Sequence, residues 1–142
     1  MVTVGDRPRT NKKAPRGNAP ARRGDLFEPA CPTRRLLDRI GGKWTSMLVK
    51  TLADAGGEVR FAELQRRARG ISRKMLAQTL RDLEHDGLVA RRIEPTVPPA
   101  VHYALTPLGR TLIGPLDALR AWAETHMATI DAHRRRSGAP PA

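Results

Sequence analysis

Residues 71–87 read ISRKMLAQTLRDLEHDG, from Ile71 to Gly87, and the fold turns on how this stretch is read. At about 100° per residue, Leu76, Leu80 and Leu83 fall on one narrow stripe of a helix. Lys74, Ala77, Gln78 and Arg81 take the opposite side at i, i+3, i+4 and i+7. Ser72 stands where a helix cap belongs, because its hydroxyl can accept a hydrogen bond from an orphan amide of the first turn. Gly87 suits the stop, where a left-handed residue costs a glycine little. The charge order runs against the helix dipole: Arg73 and Lys74 come first, and Asp82, Glu84 and Asp86 come last. Local stability does not account for that order, whereas a polyanion meeting the front half of the helix does. An ordinary surface helix would carry the same leucine stripe, so the flanking sequence must decide.

Upstream, Phe61 to about Ala68 forms a brief helix with Phe61 and Leu64 inward, and Arg69-Gly70 makes a turn before Ser72. Short helix, glycine turn and longer helix is the helix-turn-helix pattern. Downstream, the period changes to alternation in Leu88–Ile93 (LVARRI) and Ala100–Leu105 (AVHYAL), which read as two strands. Between them, Glu94-Pro95-Thr96-Val97-Pro98-Pro99 is a loop whose prolines cannot donate to a ladder. A hairpin directly after the recognition helix is a wing, and alternation sends Arg91 and Arg92 to opposite faces of it.

Further out, Cys31-Pro32 opens a helix with Leu36, Leu37 and Ile40 on one side, stopped by Gly41-Gly42. Lys43–Asp54 is a second helix, with Trp44, Met47, Leu48 and Leu52 on its apolar face, and Val59-Arg60 is a short extended piece. Thr106-Pro107 starts a last helix running to about His133, with a kink expected at Gly114-Pro115. Leu112, Leu116, Leu119, Ala123, His126 and Ile130 form a heptad-like seam along it. A domain this small has little core left to cover so long a helix. The expected dimer interface is therefore Leu112, Leu116, Leu119, Trp122, Ala123 and Ile130. The fold class is mainly α with a small β-hairpin: a winged helix-turn-helix with an additional C-terminal dimerisation helix. Residues 1–25 read as a disordered basic arm, 26–133 as the domain with its dimer helix at 106–133, and 134–142 as a short disordered tail.

Composition narrows the partners. The 142 residues carry a net charge of +12, which favours a polyanionic partner such as nucleic acid or an anionic membrane surface. No apolar run reaches the roughly 18 residues of a spanning helix, and the N-terminus has no apolar signal core, so a cytoplasmic, nucleoid-associated location without membrane contact is expected. The single cysteine, Cys31, excludes an intramolecular disulfide framework. No nucleophile elbow or catalytic constellation is present, so an enzyme is not expected. Gly41-Gly42-Lys43-Trp44-Thr45 is a near miss for a phosphate-binding loop and reads instead as a helix stop and restart. His85, His102, His126 and His133 show no metal-ligand spacing with Cys31 or with one another, and no metal or cofactor is expected.

The functional residues follow from groove chemistry. An α-helix fits the major groove of B-DNA, and helix-turn-helix proteins read bases with the N-terminal part of the second helix. Arg73, Lys74 and Gln78 are assigned toward bases, with one of the three open to phosphate instead. Ser72, Arg81, Arg91 and Arg92 are assigned to the DNA backbone, with Gln65, Arg66 and Arg67 bracing it from the preceding helix. About half of these are expected to be simply solvated charges. Cys31 stands at a helix start beside Arg34 and Arg35, where a thiolate is favoured, which makes it a candidate thiol sensor. A small buried hydrophobe is the plainer account of a free cysteine. Two other functions share the fold: a winged-helix protein-interaction module and a non-specific basic architectural protein.

The motif set Cys31-Pro32, Leu36-Leu37, Ile40-Gly41-Gly42-Lys43-Trp44, Arg60-Phe61-x-Glu63-Leu64, Gly70-Ile71-Ser72-x-Lys74-Met75-Leu76, Leu80-x-x-Leu83-Glu84-x-Asp86-Gly87-Leu88 and Tyr103-x-Leu105-Thr106 closely resembles the HxlR-type bacterial transcription regulators. The resemblance covers about Cys31 to Met127. It implies a winged helix-turn-helix homodimer, paired through its first and last helices and bound to double-stranded DNA at near-palindromic operators, most simply as a repressor. It also implies that a cysteine matching Cys31 can sense a small reactive electrophile or oxidant. The basic N-terminal arm lies outside the family pattern. With one cysteine, any disulfide must join two subunits or take a small thiol.

Overall fold

A computed structural model describes residues 26–140, and the basic arm expected at 1–25 lies outside them. The chain divides into two compact units, one ending at Leu36 and the other starting at Leu37. The elements in order are α1 (Pro32–Ile40), α2 (Lys43–Ala55), β1 (Val59–Arg60), α3 (Phe61–Arg67), α4 (Arg73–His85), β2 (Val89–Glu94), β3 (Ala100–Leu105), α5 (Pro107–Thr111) and α6 (Ile113–Arg136). In the first unit, Pro32 opens α1 and the Cys31 carbonyl accepts from the Arg35 amide at 3.0 Å, so Cys31 is the last residue before the helix.

The core of the second unit grows from α4. Leu76, Leu80 and Leu83 are buried together with Leu48 and Leu52 of α2 and Leu64 of α3. Each such side chain contributes about 1.5–3 kcal/mol by leaving water. Thr79, also buried, donates its hydroxyl to the Met75 carbonyl at 2.8 Å, so the stripe carries no orphan polar group there. Ser72 caps α4 as its sequence suggests, accepting from the Met75 amide at 3.1 Å. Gly87 leaves the helix at φ +71°, and the Gly87 and Leu88 amides return to the Glu84 and Leu83 carbonyls. That is the left-handed exit a glycine supplies most cheaply.

The hairpin is part of a three-stranded antiparallel sheet in the order β1-β3-β2. Val59 pairs with Tyr103 on one side of β3, and Arg91 pairs with Tyr103 on the other. Arg92 pairs with His102, so the two wing arginines do take opposite faces.

After β3, Thr106 caps α5 with Pro107 at its first position, accepting from the Gly109 amide at 3.0 Å. The same hydroxyl donates to the Gly87 carbonyl at 2.6 Å, and the Thr106 amide donates to Leu88 O at 3.1 Å. These bonds fasten the start of the last helical segment to the exit of α4. The break in that segment falls at Leu112, between α5 and α6, just before the expected kink at Gly114-Pro115. Pro115 sits in the first turn of α6, where its missing N–H is no loss. The helix also runs past His133 to Arg136, so the arginine triplet expected in a tail is helical. Amides of Gly138 and Ala139 close it on the Arg135 and Arg134 carbonyls, and basic residues in a last turn suit the dipole.

Gly109 packs so tightly that an added Cβ would run into the Leu88 carbonyl and lie 3.2 Å from Leu105 Cδ2. Gly87 has nothing within 4 Å of such a Cβ and would suffer only its backbone angle. Gly109→Ala is therefore expected to cost more in a denaturant titration than Gly87→Ala. The first should lose about 1–3 kcal/mol or more from overpacking, and the second about 1–2 kcal/mol from the left-handed backbone.

Candidate nucleic-acid interface

Packing the leucine stripe inward leaves the other side of α4 in solvent, and Ser72, Arg73, Lys74, Gln78 and Arg81 are all exposed. They do not form one uniform face. Arg73, Ala77 and Arg81, spaced by four, turn toward the wing and line a cleft of about 800 Å³ between α3, α4 and the hairpin. Arg91 reaches the same cleft from β2. Phe61 and Tyr103 lie in it with ring centroids 6.5 Å apart. The Arg73 guanidinium stands 5.3 Å from the centre of the Phe61 ring, a cation–π contact that holds it over the cleft. Lys74 and Gln78 stand outside the cleft, on the outer side of α4.

The hydrogen bonds sort the remaining assignments. Arg81 donates to Gln78 Oε1 at 3.0 Å, and Gln78 Nε2 donates to Asp82 at 2.9 Å, a relay along the helix surface. Asp86 is ion-paired with Arg39. The acidic end of α4 is thus partnered within the protein. Arg66 and Arg67 both pair with Glu63 on their own helix, and Gln65 is half-buried. Arg92, expected on the DNA backbone, is gripped by both oxygens of Glu58, with Nη2 to Oε2 at 2.7 Å. The Arg92 hydrogen bonds hold the Glu58 carboxyl below its ordinary range and raise Arg92 in return. His102 on the same sheet face meets Glu94 at 2.8 Å. Arg66, Arg67 and Arg92 thus each have a carboxylate partner that residue type alone does not disclose.

Arg60 was not singled out from sequence, yet it lines the cleft where β1 enters α3. The same is true of Phe61 and Tyr103 as an aromatic pair. The available signal was the β1–β3 register, which a two-residue strand conveys poorly.

On the last helix, Leu112 and Leu116, expected on a dimer seam, are instead buried in the core of this domain. The seam residues beyond them differ. Leu119 is 62% and Trp122 52% exposed, and Trp122 stacks on His126 at 4.6 Å. Ala123 and Ile130 are half-buried. In α1, Leu36 and Leu37 are also exposed. Cys31 is 2% exposed, and beside it the Arg34 guanidinium donates to the Phe27 carbonyl at 3.2 Å. Among the described residues no helix is long and apolar enough to cross a membrane.

Comparison with known proteins places this geometry. The profile described as HxlR-like helix-turn-helix matches residues 39–131. An uncharacterized HTH-type transcriptional regulator of Methanothermobacter thermautotrophicus is 41% identical over 111 residues, covering 78% of this chain and 80% of that protein. The solved structure of the putative transcriptional regulator ytfH from Salmonella typhimurium is 40% identical with a TM-score of 0.69, covering 79% of this chain and 98% of that one. The redox regulator HypR in its reduced form is 39% identical with a TM-score of 0.66, covering 71% of this chain and 98% of that one.

The Glu58–Arg92 pair has a pH signature. Because the folded Glu58 carboxyl sits below its unfolded value, the pair stabilises the fold above the ordinary glutamate range, and the stabilisation disappears as pH falls through the lowered folded value. Thermal melts should show Glu58→Gln less stable than the parent at pH 7. The difference should close under acid, and high salt should shrink it because both groups face solvent.

Proposed function

The chain belongs to the HxlR-like helix-turn-helix family of transcriptional regulators, and we propose that it binds a near-palindromic operator as a homodimer and acts as a repressor in the cytoplasm. The observation that carries this reading is the outer side of α4. Lys74 and Gln78 are exposed on a helix that is capped by Ser72 and anchored by three buried leucines, with Arg73, Arg81 and Arg91 flanking them. Lys74 and Gln78 reach base edges in the major groove. Arg73, Arg81 and Arg91 meet the phosphate backbone that passes between helix and wing. Arg66 and Arg92, held by Glu63 and Glu58, contribute field rather than contacts.

Dimerisation runs through Leu119, Trp122, Ala123 and Ile130 of α6. The exposed Leu119 and Trp122 are apolar area that a second copy would cover. Two recognition helices about 34 Å apart then meet successive turns of one face of B-DNA. A repressor needs no further machinery than this occupancy of promoter DNA.

Selecting bound sites from random duplexes, together with sedimentation of the free protein, tests the whole reading. The expected result is an inverted repeat bound by a dimer. Leu119→Asp should yield monomers whose operator affinity falls by about a hundredfold or more, since the second half-site no longer binds in tandem. A single half-site bound by a monomer would overturn the dimer, and binding without sequence preference would favour an architectural role.

A second reading concerns Cys31, and the similarity to the redox regulator HypR favours it. Once its thiol, 2% exposed in the fold, opens to solvent, a quinone can alkylate it, or an oxidant that takes two electrons and two protons can join it in a disulfide to a partner subunit or a small thiol. Treatment with a quinone should lower operator affinity of the parent and leave Cys31→Ser unaffected. Equal responses would remove Cys31 from the mechanism.

A further inference from the structure

The cleft between α3, α4 and the wing has features that a DNA phosphate alone does not use. Its volume of about 800 Å³ lies within the ~300–1,000 Å³ of small-molecule sites. Its lining divides into two chemistries. Phe61, Ala77, Pro99, Ala100, Val101 and Tyr103 supply apolar surface. The Phe61 and Tyr103 rings are inclined at 50°, and with Tyr103 only 7% exposed and Phe61 half-buried, a flat ring would lie chiefly against Phe61, beside the Arg73 guanidinium. Arg60, Arg73, Arg81 and Arg91 supply charge, from β1, α4 and β2. Among the described residues none of the four is in an ion pair, and Arg73 and Arg91 come from different elements, one beside Phe61 and the other paired across the sheet with Tyr103. The carboxylate of Glu63, which also lines the cleft, is occupied by Arg66 and Arg67. Glu84 and His85 line it too, about one turn beyond Arg81 on α4.

A phosphodiester would engage the arginines and leave the apolar wall without a partner. A neutral aromatic would cover the wall and leave the arginines without an anionic partner. An aromatic ring bearing a carboxylate satisfies both, through stacking, cation–π contact and charge-assisted hydrogen bonds. We propose that this cleft is a binding site for a small aromatic carboxylate, its ring chiefly against Phe61 and its charge between Arg73 and Arg91. The regulatory consequence rests on the reading of α4 and the wing as the DNA face: the occupant lies where the backbone would pass, so ligand and operator exclude each other.

Calorimetric titration of the full chain without DNA tests the site, using 2-naphthoate with 2-naphthamide and inorganic phosphate as comparison arms. The expected result is one 2-naphthoate per chain, bound about tenfold or more tightly than either comparison compound. Replacing both arginines, Arg73→Gln with Arg91→Gln, should weaken 2-naphthoate by about tenfold or more, with an unchanged thermal melt. Ala77→Leu keeps the arginines and fills the apolar space, so it should lose 2-naphthoate and leave any weak phosphate binding as it was. Binding of 2-naphthoate no tighter than phosphate, or unaltered in both variants, would overturn the proposal. A separate arm adds 2-naphthoate to the protein–duplex complex. Displacement supports the exclusion, whereas binding with the duplex retained supports the site and counts against the placement of DNA on this face.

Discussion

Burying Leu76, Leu80 and Leu83 against Leu48, Leu52 and Leu64 is the constraint from which the rest of the structure follows. A helix has one inward stripe, so committing these leucines fixes which residues remain outside. Lys74 and Gln78 are exposed because they lie across the axis from that stripe. The exit at Gly87 then sets the direction of β2, and the Leu88 amide returns to Leu83 O within the same turn. Thr106 bonds back to both Gly87 and Leu88, which ties the last helical segment to that exit. Gly109 permits the tie, because any side chain there would strike the Leu88 carbonyl. Helix α4, the hairpin and the long helix share one junction.

Charge is arranged more narrowly than its total suggests. The net +12 of the chain does not become a uniform cationic surface. Glu63 takes Arg66 and Arg67, Glu58 takes Arg92, and Asp86 takes Arg39. Each exposed pair adds little to stability and gives its guanidinium a carboxylate neighbour. What remains on the face of α4 and the wing is Arg73, Lys74, Arg81 and Arg91. The acidic end of α4 is accounted for in the same way, with Asp82 accepting from Gln78 and Asp86 paired to Arg39.

The fold was largely legible from local pattern. The leucine spacing of α4, the Ser72 cap and the Gly87 stop each act within a few residues, and the structure carries all three; the hairpin strands form as well, but β2 buries only Val89 and leaves Ile93 exposed. The last helix was legible in extent but not in use. Its seam spacing is uniform from Leu112 to Ile130, yet the first two leucines fill the domain core and Leu119 and Trp122 do not. Periodicity reports a face, and how much of that face the rest of the chain covers depends on where the helix docks.

The sequence by itself determined which segments are helices and strands and which face of each is apolar, because caps, breakers and periodicity are short-range. Tertiary structure decided the partners. Glu58 and Arg92 are 34 residues apart and meet because β3 brings β1 and β2 into one sheet. The same sheet aligns Arg91 with Tyr103, and α3 sets Phe61 beneath Arg73. The cleft, its aromatic floor and the division of arginines into paired and available ones come from long-range register. No periodicity along the chain encodes that register.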